Sequence, residues 1–427
     1  MRTKLYGYQQ RIVDEQSTRQ GCNLFMDMGT GKTVTSLALF ETNPTRKILV
    51  ICLVSKLKDW QEDLLKELNI DATILDKGTK KNQILLSQNE SAYIINFESA
   101  WRLKELVNWV DKDTTILIDE SHKIKNPTSA IGKFCRALGK KTKYKYILTG
   151  TPQSQGYIDY YNQLYFTDTL NVSFADFKKL FCIYEQQYFN GFPIKSLVGY
   201  KNKDVLDKVI NDNCVFYRRT VAEDMIPTDI VKRFEKPNKY DFFKKNRIWD
   251  DVVADSNGKL FSILRTICSG NIEHHEVDDQ KIKWLEDLID CLDERLVVFY
   301  NFNIERDRII TMLEKNKIAY SEYSGRTKDF TEFKNNKKSV VLCQYKTAST
   351  GINDLVIASK CVFYSLPTAY IDFEQAKKRI DRIGQIEKPL FYYLICKNTL
   401  EEKIYNNLLN GEDFDEIKFA QYMSLSN

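Results

Sequence analysis

The stretch Asn23-Leu-Phe-Met-Asp-Met-Gly-Thr-Gly-Lys-Thr33, running on into the apolar segment Val34–Phe40, decides the fold. Residues 23–27 read as a short buried strand and residues 34–40 as an apolar helix, so the glycines fall on the turn between them. Gly29 and Gly31, with Thr30 between them, let the backbone turn its N–H groups toward an anion at a helix N-terminus. Lys32 adds a point charge there, and the Thr33 hydroxyl can ligate magnesium. The full phosphate-loop pattern wants a glycine where Met26 stands, so only the Gly-Thr-Gly-Lys-Thr core matches. A chance Gly-Lys-Thr in a surface loop is the competing reading, and the strand before and helix after argue against it.

Working outward, short apolar runs alternate with amphipathic stretches, the pattern of a parallel sheet covered by helices on both faces. Strands are predicted at Leu24–Asp27, Ile48–Val54, Ala72–Leu75, Tyr93–Phe97, Thr115–Asp119 and Tyr146–Thr149. The alternation returns at Leu296–Tyr300, Ala319–Tyr323, Val340–Cys343, Cys361–Ser365 and Leu390–Cys396. The fold class expected is α/β, with two doubly wound parallel-sheet lobes, over residues 1–226 and 227–427. Between the sheets the pattern fades into helical protrusions, with helices expected at Tyr157–Phe166, Phe174–Tyr184 and Asp204–Asn211 and a linker near Met225–Lys232. The first lobe's protrusion covers about residues 153–222.

A chain of 427 residues is too long for one core and suits two domains. The net charge of +5 is too small to imply a polyanion partner, which would need a local patch such as Lys140–Lys145; that run reads equally as a solvated edge. Ten cysteines form no C-x-x-C pair, and several sit inside strand-like runs, which points to a reducing compartment without structural disulfides. With three histidines, His122, His274 and His275, and no thiols clustered near them, a structural zinc site is not expected. No segment reads as a signal peptide or a membrane span, so a soluble, cytoplasmic protein is expected.

Three further segments carry chemistry. Thr115–Ile118 ends in Asp119-Glu120-Ser121-His122, placing two carboxylates at the sheet edge where open α/β sheets bind ligands. Asp119 suits magnesium and Glu120 an attacking water. Leu148-Thr-Gly-Thr-Pro152 offers two hydroxyls, Thr149 and Thr151, that could link His122 to whatever moves on hydrolysis, or simply form a turn. In Gln375-Ala-Lys-Lys-Arg-Ile-Asp-Arg-Ile-Gly-Gln385, Arg379 and Arg382 stand three apart in an apparent helix, so both guanidiniums would leave one face and suit a phosphoryl group in flight.

In this order the segments resemble the superfamily 2 helicases and translocases, in the wording of the Swi/Snf-like branch. The resemblance spans nearly the whole chain. Leu5-Tyr-Gly-Tyr-Gln9 is similar to the adenine-reading glutamine motif, Met28–Thr33 to motif I, Val50–Ser55 with Trp60 to motif Ia, and Ile95–Glu98 to motif Ib. Asp119–His122 resembles motif II in its DExH form, and Leu148–Pro152 motif III. Val297–Tyr300, Tyr323–Gly325, Ala348–Asn353 and Gln375–Gln385 are similar to motifs IV, the segment after it, V and VI, the last with its Arg-Ile-Gly-Gln ending. Phe216–Arg219 and Ile263–Cys268 resemble segments that link the lobes, and Asn398–Ile404 a bracing C-terminal helix. Val54 stands where motif Ia commonly has Pro, and Thr368 where a Trp often precedes motif VI.

The resemblance implies RecA-like lobes that use ATP and Mg²⁺. It implies Gln9, Gly29, Thr30, Gly31, Lys32, Thr33 and Gly351 around the nucleotide, and Thr33 and Asp119 at the metal. Lys32, Asp119, Glu120, Gln375, Arg379 and Arg382 would carry hydrolysis, and His122, Thr149 and Thr151 would couple it to motion. DNA, whether duplex, forked or single-stranded, is the implied partner, gripped mainly through phosphates. Ser55, Lys58 and Ser349 are candidate contacts, and Phe97 and Tyr345 candidate stacking residues. The expectation is a DNA helicase or translocase acting in replication, recombination or repair, a monomer alongside replication or recombination proteins, of a kind found in phage or bacteria. A DExH RNA helicase and an ATP-switched nucleic-acid clamp are the alternatives.

Overall fold

The computed structural model describes residues 1–153, 156–189, 192–218, 223–348, 354–382 and 384–424. The chain divides into two compact units, Met1–Arg219 and Thr220–Asn427. In the first, β1 (Gly21–Met26), β2 (Lys47–Cys52), β3 (Thr73–Leu75), β4 (Ala92–Asn96), β5 (Thr114–Asp119), β6 (Lys145–Thr149) and β9 (Cys214–Tyr217) form one sheet, ordered β3-β4-β2-β5-β6-β1-β9. Every pairing in it is parallel. A separate antiparallel hairpin, β7 (Cys182–Phe189) and β8 (Phe192–Tyr200), precedes β9.

The continuous apolar runs have a simple cause. Successive side chains of a strand point to opposite faces, and here both faces are covered. In β2, Leu49 and Ile51 join one buried cluster while Ile48, Val50 and Cys52 join the other. At the start of β6 the sheet buries a charge: Lys145 is fully buried, its Nζ donating to Gly139 O (3.0 Å) and pairing with Asp168. Lys140, Lys141 and Lys143 remain exposed, so the basic run is a solvated edge ending in a core residue.

The second unit holds β10 (Thr228–Phe234), β15 (Arg295–Tyr300), β16 (Tyr320–Tyr323), β17 (Ser339–Gln344), β18 (Lys360–Phe363) and β19 (Leu390–Cys396), ordered β10-β19-β18-β15-β17-β16 and again all parallel. Two short hairpins stand beside this sheet in sequence, β11 (Ile248–Trp249) with β12 (Val252–Val253), and β13 (Asn271–Ile272) with β14 (His275–Glu276). The two doubly wound sheets expected from the sequence are present. Three details differ. The helix expected over Phe174–Tyr184 stops at Phe181 and the chain enters β7. The segment Met225–Lys232, expected to be a linker, runs into β10, an edge strand whose exposed charged side chains hide it from an apolar-run reading. β9 likewise closes the first sheet inside a stretch expected to be helical.

The helix Leu400–Leu409 is fixed to the second unit by a buried ion pair. Glu401 meets Lys281 of the helix Gln280–Cys291 at 2.6 Å, and it also accepts from Cys396 N at 2.9 Å, while Lys281 donates to Tyr364 O at 3.2 Å. Burial pushes the Glu401 carboxyl up and opposes the charge on Lys281, but Glu401 more than offsets that burial and holds the ammonium above its ordinary range. The short contact and full set of partners make this an ammonium–carboxylate pair. Lys281→Met would leave Glu401 buried alone and should cost about 3–5 kcal/mol in urea unfolding. Lys281→Met/Glu401→Leu should recover most of that loss, because a well-packed apolar pair replaces both charges.

Candidate functional site

Parallel register brings three strand ends to one edge. Leu24 and Asp119 both align with Leu148, and Phe25 aligns with Thr149. The loop leaving β1 therefore starts beside Asp119 and Thr149, far apart as they are in sequence. Gly29 and Gly31 both have φ of 76°, a left-handed conformation that an L side chain rarely adopts, and Gly31 caps the helix Lys32–Thr42. Met26 explains the departure from the full phosphate-loop pattern. It is the buried last residue of β1, so the turn begins only at Asp27.

The loop is held from both sides. Lys32 Nζ donates to Met26 O (3.0 Å) and Asp27 O (3.1 Å), and Thr30 Oγ1 donates to Asp27 O at 2.6 Å. Gln9 is buried against it, accepting from Tyr6 N at 2.8 Å and donating through Nε2 to Thr30 O at 3.1 Å. A Cβ on Gly31 would come within 2.2 Å of that Nε2. Gln9 thus senses the loop directly, and its amide has one further N–H. Tyr8 also donates to Thr30 O (2.8 Å) and stacks on Tyr217 with ring centroids 4.0 Å apart, in line with the exposed Tyr6. Sequence reading missed this aromatic ladder, although Tyr6 and Tyr8 lie within the quoted Leu5–Gln9 segment, because nothing local says that Tyr217 lies on the neighbouring strand.

Asp119 ends β5 with its carboxylate fixed by two donors, Trp60 Nε1 to Oδ2 (3.0 Å) and Glu120 N to Oδ1 (3.0 Å). Trp60 is the second residue whose role needed the structure. Burial pushes the Asp119 carboxyl up, the charge of Glu120 adds to this, and Trp60 and Lys32 oppose it. The lone pairs left over and the raised proton affinity suit a hard divalent cation, which would relieve the crowded negative charge. Thr33, in the first turn of its helix, is the other oxygen donor the sequence nominates.

Glu120 adopts the left-handed conformation (φ 56°, ψ 53°), which costs a non-glycine residue roughly 1–2 kcal/mol. That twist turns its carboxylate toward the next strand end. Glu120 Oε2 lies 3.3 Å from His122 Nδ1 and 3.4 Å from Thr149 Oγ1, and His122 Nδ1 lies 3.2 Å from the same hydroxyl. Thr149 Oγ1 also accepts from Thr151 N at 3.1 Å. One hydroxyl and one imidazole therefore connect Glu120 to the 149–151 turn.

In the second unit, the expectation of two arginines on one helix face is overturned. The helix Tyr370–Lys377, which carries Gln375, ends before either arginine. Arg379 and Arg382 lie on successive turns closed by Arg379 N to Ala376 O (3.2 Å) and Gln385 N to Arg382 O (3.1 Å). Gly384, at φ 102°, and the Gln385 side chain, which donates to Ala358 O at 2.8 Å, hold this ending in place of further helix. Gln375 and Arg379 are buried; Arg382 is half-buried, and that burial pulls its pKa down. Gly351 and Ser349 lie outside the described residues.

Two of the nucleic-acid candidates are also corrected. Phe97 and Tyr345 are 4% and 2% exposed, each packed in its unit's apolar core, and Tyr345 OH donates to Ser365 O at 2.9 Å. Neither offers a ring face to a base. Lys58 is exposed on the helix Leu57–Leu68, and Ser55, in the turn before it, has a buried hydroxyl that meets no partner among the described residues.

A glycine-rich loop between strand and helix, with an acidic pair at the same edge of a doubly wound sheet, defines a phosphate-loop nucleotide site. A profile of the SNF2-related domain matches residues 8–223, and the chain belongs to that family. It is 24% identical over 419 residues to the Drosophila melanogaster SWI/SNF-related matrix-associated actin-dependent regulator of chromatin subfamily A-like protein 1, covering 91% of this chain and 52% of that protein. It is also 24% identical over 487 residues to the Saccharomyces cerevisiae DNA repair and recombination protein RDH54, covering 93% and 49%. The chain thus spans about half the length of these relatives. A Sulfolobus solfataricus SWI2/SNF2 ATPase core solved in complex with dsDNA is 25% identical, with a TM-score of 0.46, over 100% of this chain and 94% of that one. Among the described residues no helix is long and apolar enough to cross a membrane.

The raised proton affinity of Asp119 has a measurable consequence. With Asp119 as the magnesium ligand the sequence resemblance implies, a proton and the cation would compete for one carboxylate, so apparent Mg²⁺ affinity, measured by titration with a bound nucleotide, should climb with pH until Asp119 is fully ionised and then level off. Asp119→Asn should weaken binding and flatten the profile.

Proposed function

We propose that this chain is a DNA-stimulated ATPase that couples hydrolysis to movement along, or remodelling of, DNA during repair or recombination. The observation that carries the reading is the Glu120–His122–Thr149 cluster, because it ties the carboxylate beside the phosphate loop to a turn that hydrolysis can move. Membership in the SNF2-related family, and relatives named for DNA repair, recombination and chromatin, support DNA over RNA. A place in DNA replication and a bacterial or phage-infected cytoplasm belong to the same proposal and rest on the sequence resemblance alone.

Within the first unit, loop amides around Gly29–Gly31 bind phosphate oxygens, and Lys32 exchanges its carbonyl partners for them. Gln9 ties the nucleotide-facing loop to the preceding helix. Asp119 and Thr33 would hold magnesium, which supplies charge neutralisation to the phosphates when bound. Glu120 orients the attacking water and takes its proton, and its altered charge is felt by His122 and Thr149. Gln375, Arg379 and Arg382, with Gly351, are assigned to phosphate charge during turnover. Ser55, Lys58 and Ser349 remain the proposed backbone contacts, with Thr151 on the moving turn.

Steady-state ATPase rates with duplex, single-stranded and forked DNA and with RNA test this. DNA should stimulate turnover, and stimulation by RNA alone would overturn the assignment. Glu120→Gln should lower kcat by about 10²–10⁴-fold while retaining ATP binding. Arg379→Ala or Arg382→Ala should leave ATP affinity within a few-fold and reduce turnover on the order of 10³-fold; normal hydrolysis by either variant with DNA present would make that arginine a structural residue.

A further inference from the structure

Two of the chain's three histidines stand side by side in the second unit, in a place the proposed ATPase does not use. The hairpins β11–β12 and β13–β14 each turn in two residues, Asp250-Asp251 and Glu273-His274, with the first residue of each in the left-handed region (Asp250 φ 52°, Glu273 φ 45°). Such tight turns fix where their side chains leave the backbone. Strand alternation would send neighbouring side chains apart, but His274 lies in the turn and His275 on the strand, so their rings converge, with centroids 4.0 Å apart.

Both imidazoles meet the other hairpin. His275 Nε2 is 2.8 Å from Asp251 Oδ1, and His274 Nε2 is 3.6 Å from Asp251 Oδ2. One ligand atom from each of Asp251, His274 and His275 lies within 4.8 Å of the others. Asp250 stands beside them, its Oδ2 3.6 Å from His275 Nε2. Each hairpin is braced from behind: Trp249 sets its ring edge-on to His275 with centroids 5.2 Å apart, and Arg308 donates to Ser269 O, Gly270 O and Asn271 at the root of β13.

We propose that Asp251, His274 and His275 form a site for a divalent transition metal of the zinc class, with Asp250 at the fourth position. Bonds of about 2.0–2.1 Å in a tetrahedron place ligand atoms roughly 3.3 Å apart. Two of the observed separations are 3.6 Å, and the 2.8 Å contact opens by about half an ångström once a metal replaces the shared proton. Two carboxylates balance a dication, and paired imidazoles select zinc-class ions over magnesium or calcium. The nearby Glu273 and Glu276 face Lys259 and Arg308 and so leave the charge balance of the site unchanged. The metal would clip two hairpins whose ligands are 23 residues apart, Asp251 to His274, and so stiffen the entry to the helix Asn257–Cys268. The expectation from sequence against a structural zinc site rested on there being three histidines and no thiols clustered near them, whereas this donor set takes two of those histidines, carboxylates from another hairpin and no thiol.

The test uses the full chain, stripped with chelator and free of nucleotide and magnesium. Zn²⁺ titration by calorimetry should show one equivalent bound, Co²⁺ should give the visible absorption of a four-coordinate site, and Zn²⁺ should raise the thermal midpoint. His274→Ala and His275→Ala should each weaken Zn²⁺ binding by about tenfold or more and abolish the thermal shift. Cys291→Ser, at the one exposed cysteine among the described residues, should change neither. Because His274 is 64% exposed, metal-free His274→Ala should melt with the parent, which separates lost binding from lost folding. Absence of stoichiometric binding in the parent, or undiminished binding in both histidine variants, overturns the site. DNA-stimulated ATP turnover is a separate readout whose failure leaves this result unaffected.

Discussion

The parallel register of β1, β6 and β5 is the constraint on which the rest of the first unit depends. Because all three strands run the same way and Leu148 aligns with both Leu24 and Asp119, a loop, a carboxylate pair and a threonine from separate parts of the chain meet at one edge. The buried alternation of β2 and its neighbours holds that register, since a one-residue slip would turn every apolar side chain to the wrong face. Site geometry is thus a product of core packing rather than of the site residues themselves.

On that frame, polar contacts tune what the edge can do. Trp60 anchors Asp119, whose own carboxylate accepts Glu120 N, and the left-handed backbone of Glu120 turns its side chain toward His122 and Thr149. Backbone strain at such a position persists only where surrounding contacts over-determine it, and here the next strand supplies them. Gln9 and Tyr8 do the same for the loop from the helix Gly7–Gln16, both meeting the single carbonyl of Thr30.

The two sheets and the phosphate loop were legible in the sequence because burial on both faces writes continuous apolar runs, and because glycines at a strand-to-helix turn have few other uses. Edge elements were not. β10 carries Asp229, Lys232 and Arg233, and β9 is four residues long, so neither departs from the background of a charged, irregular stretch. The arginine pair shows a different limit: an apparent helical spacing cannot reveal that the helix stops at Lys377, where side-chain and backbone contacts from Gln385 close tighter turns. Phe97 and Tyr345 are aromatics close to motifs, but aromatics fill cores more often than they face ligands, and both are buried. The paired histidines had the opposite problem, since their partner Asp251 sits on another hairpin and leaves no spacing signature.

Amide hydrogen exchange measured with and without Mg²⁺ and a slowly hydrolysed ATP analogue would probe the proposed nucleotide edge residue by residue. Exchange should slow at 27–33, at 119–122 and at 6–9, the three segments that the register and the Gln9 contact join. Protection confined to other segments, or none at saturating nucleotide, would contradict the assignment of this edge as the ATP site.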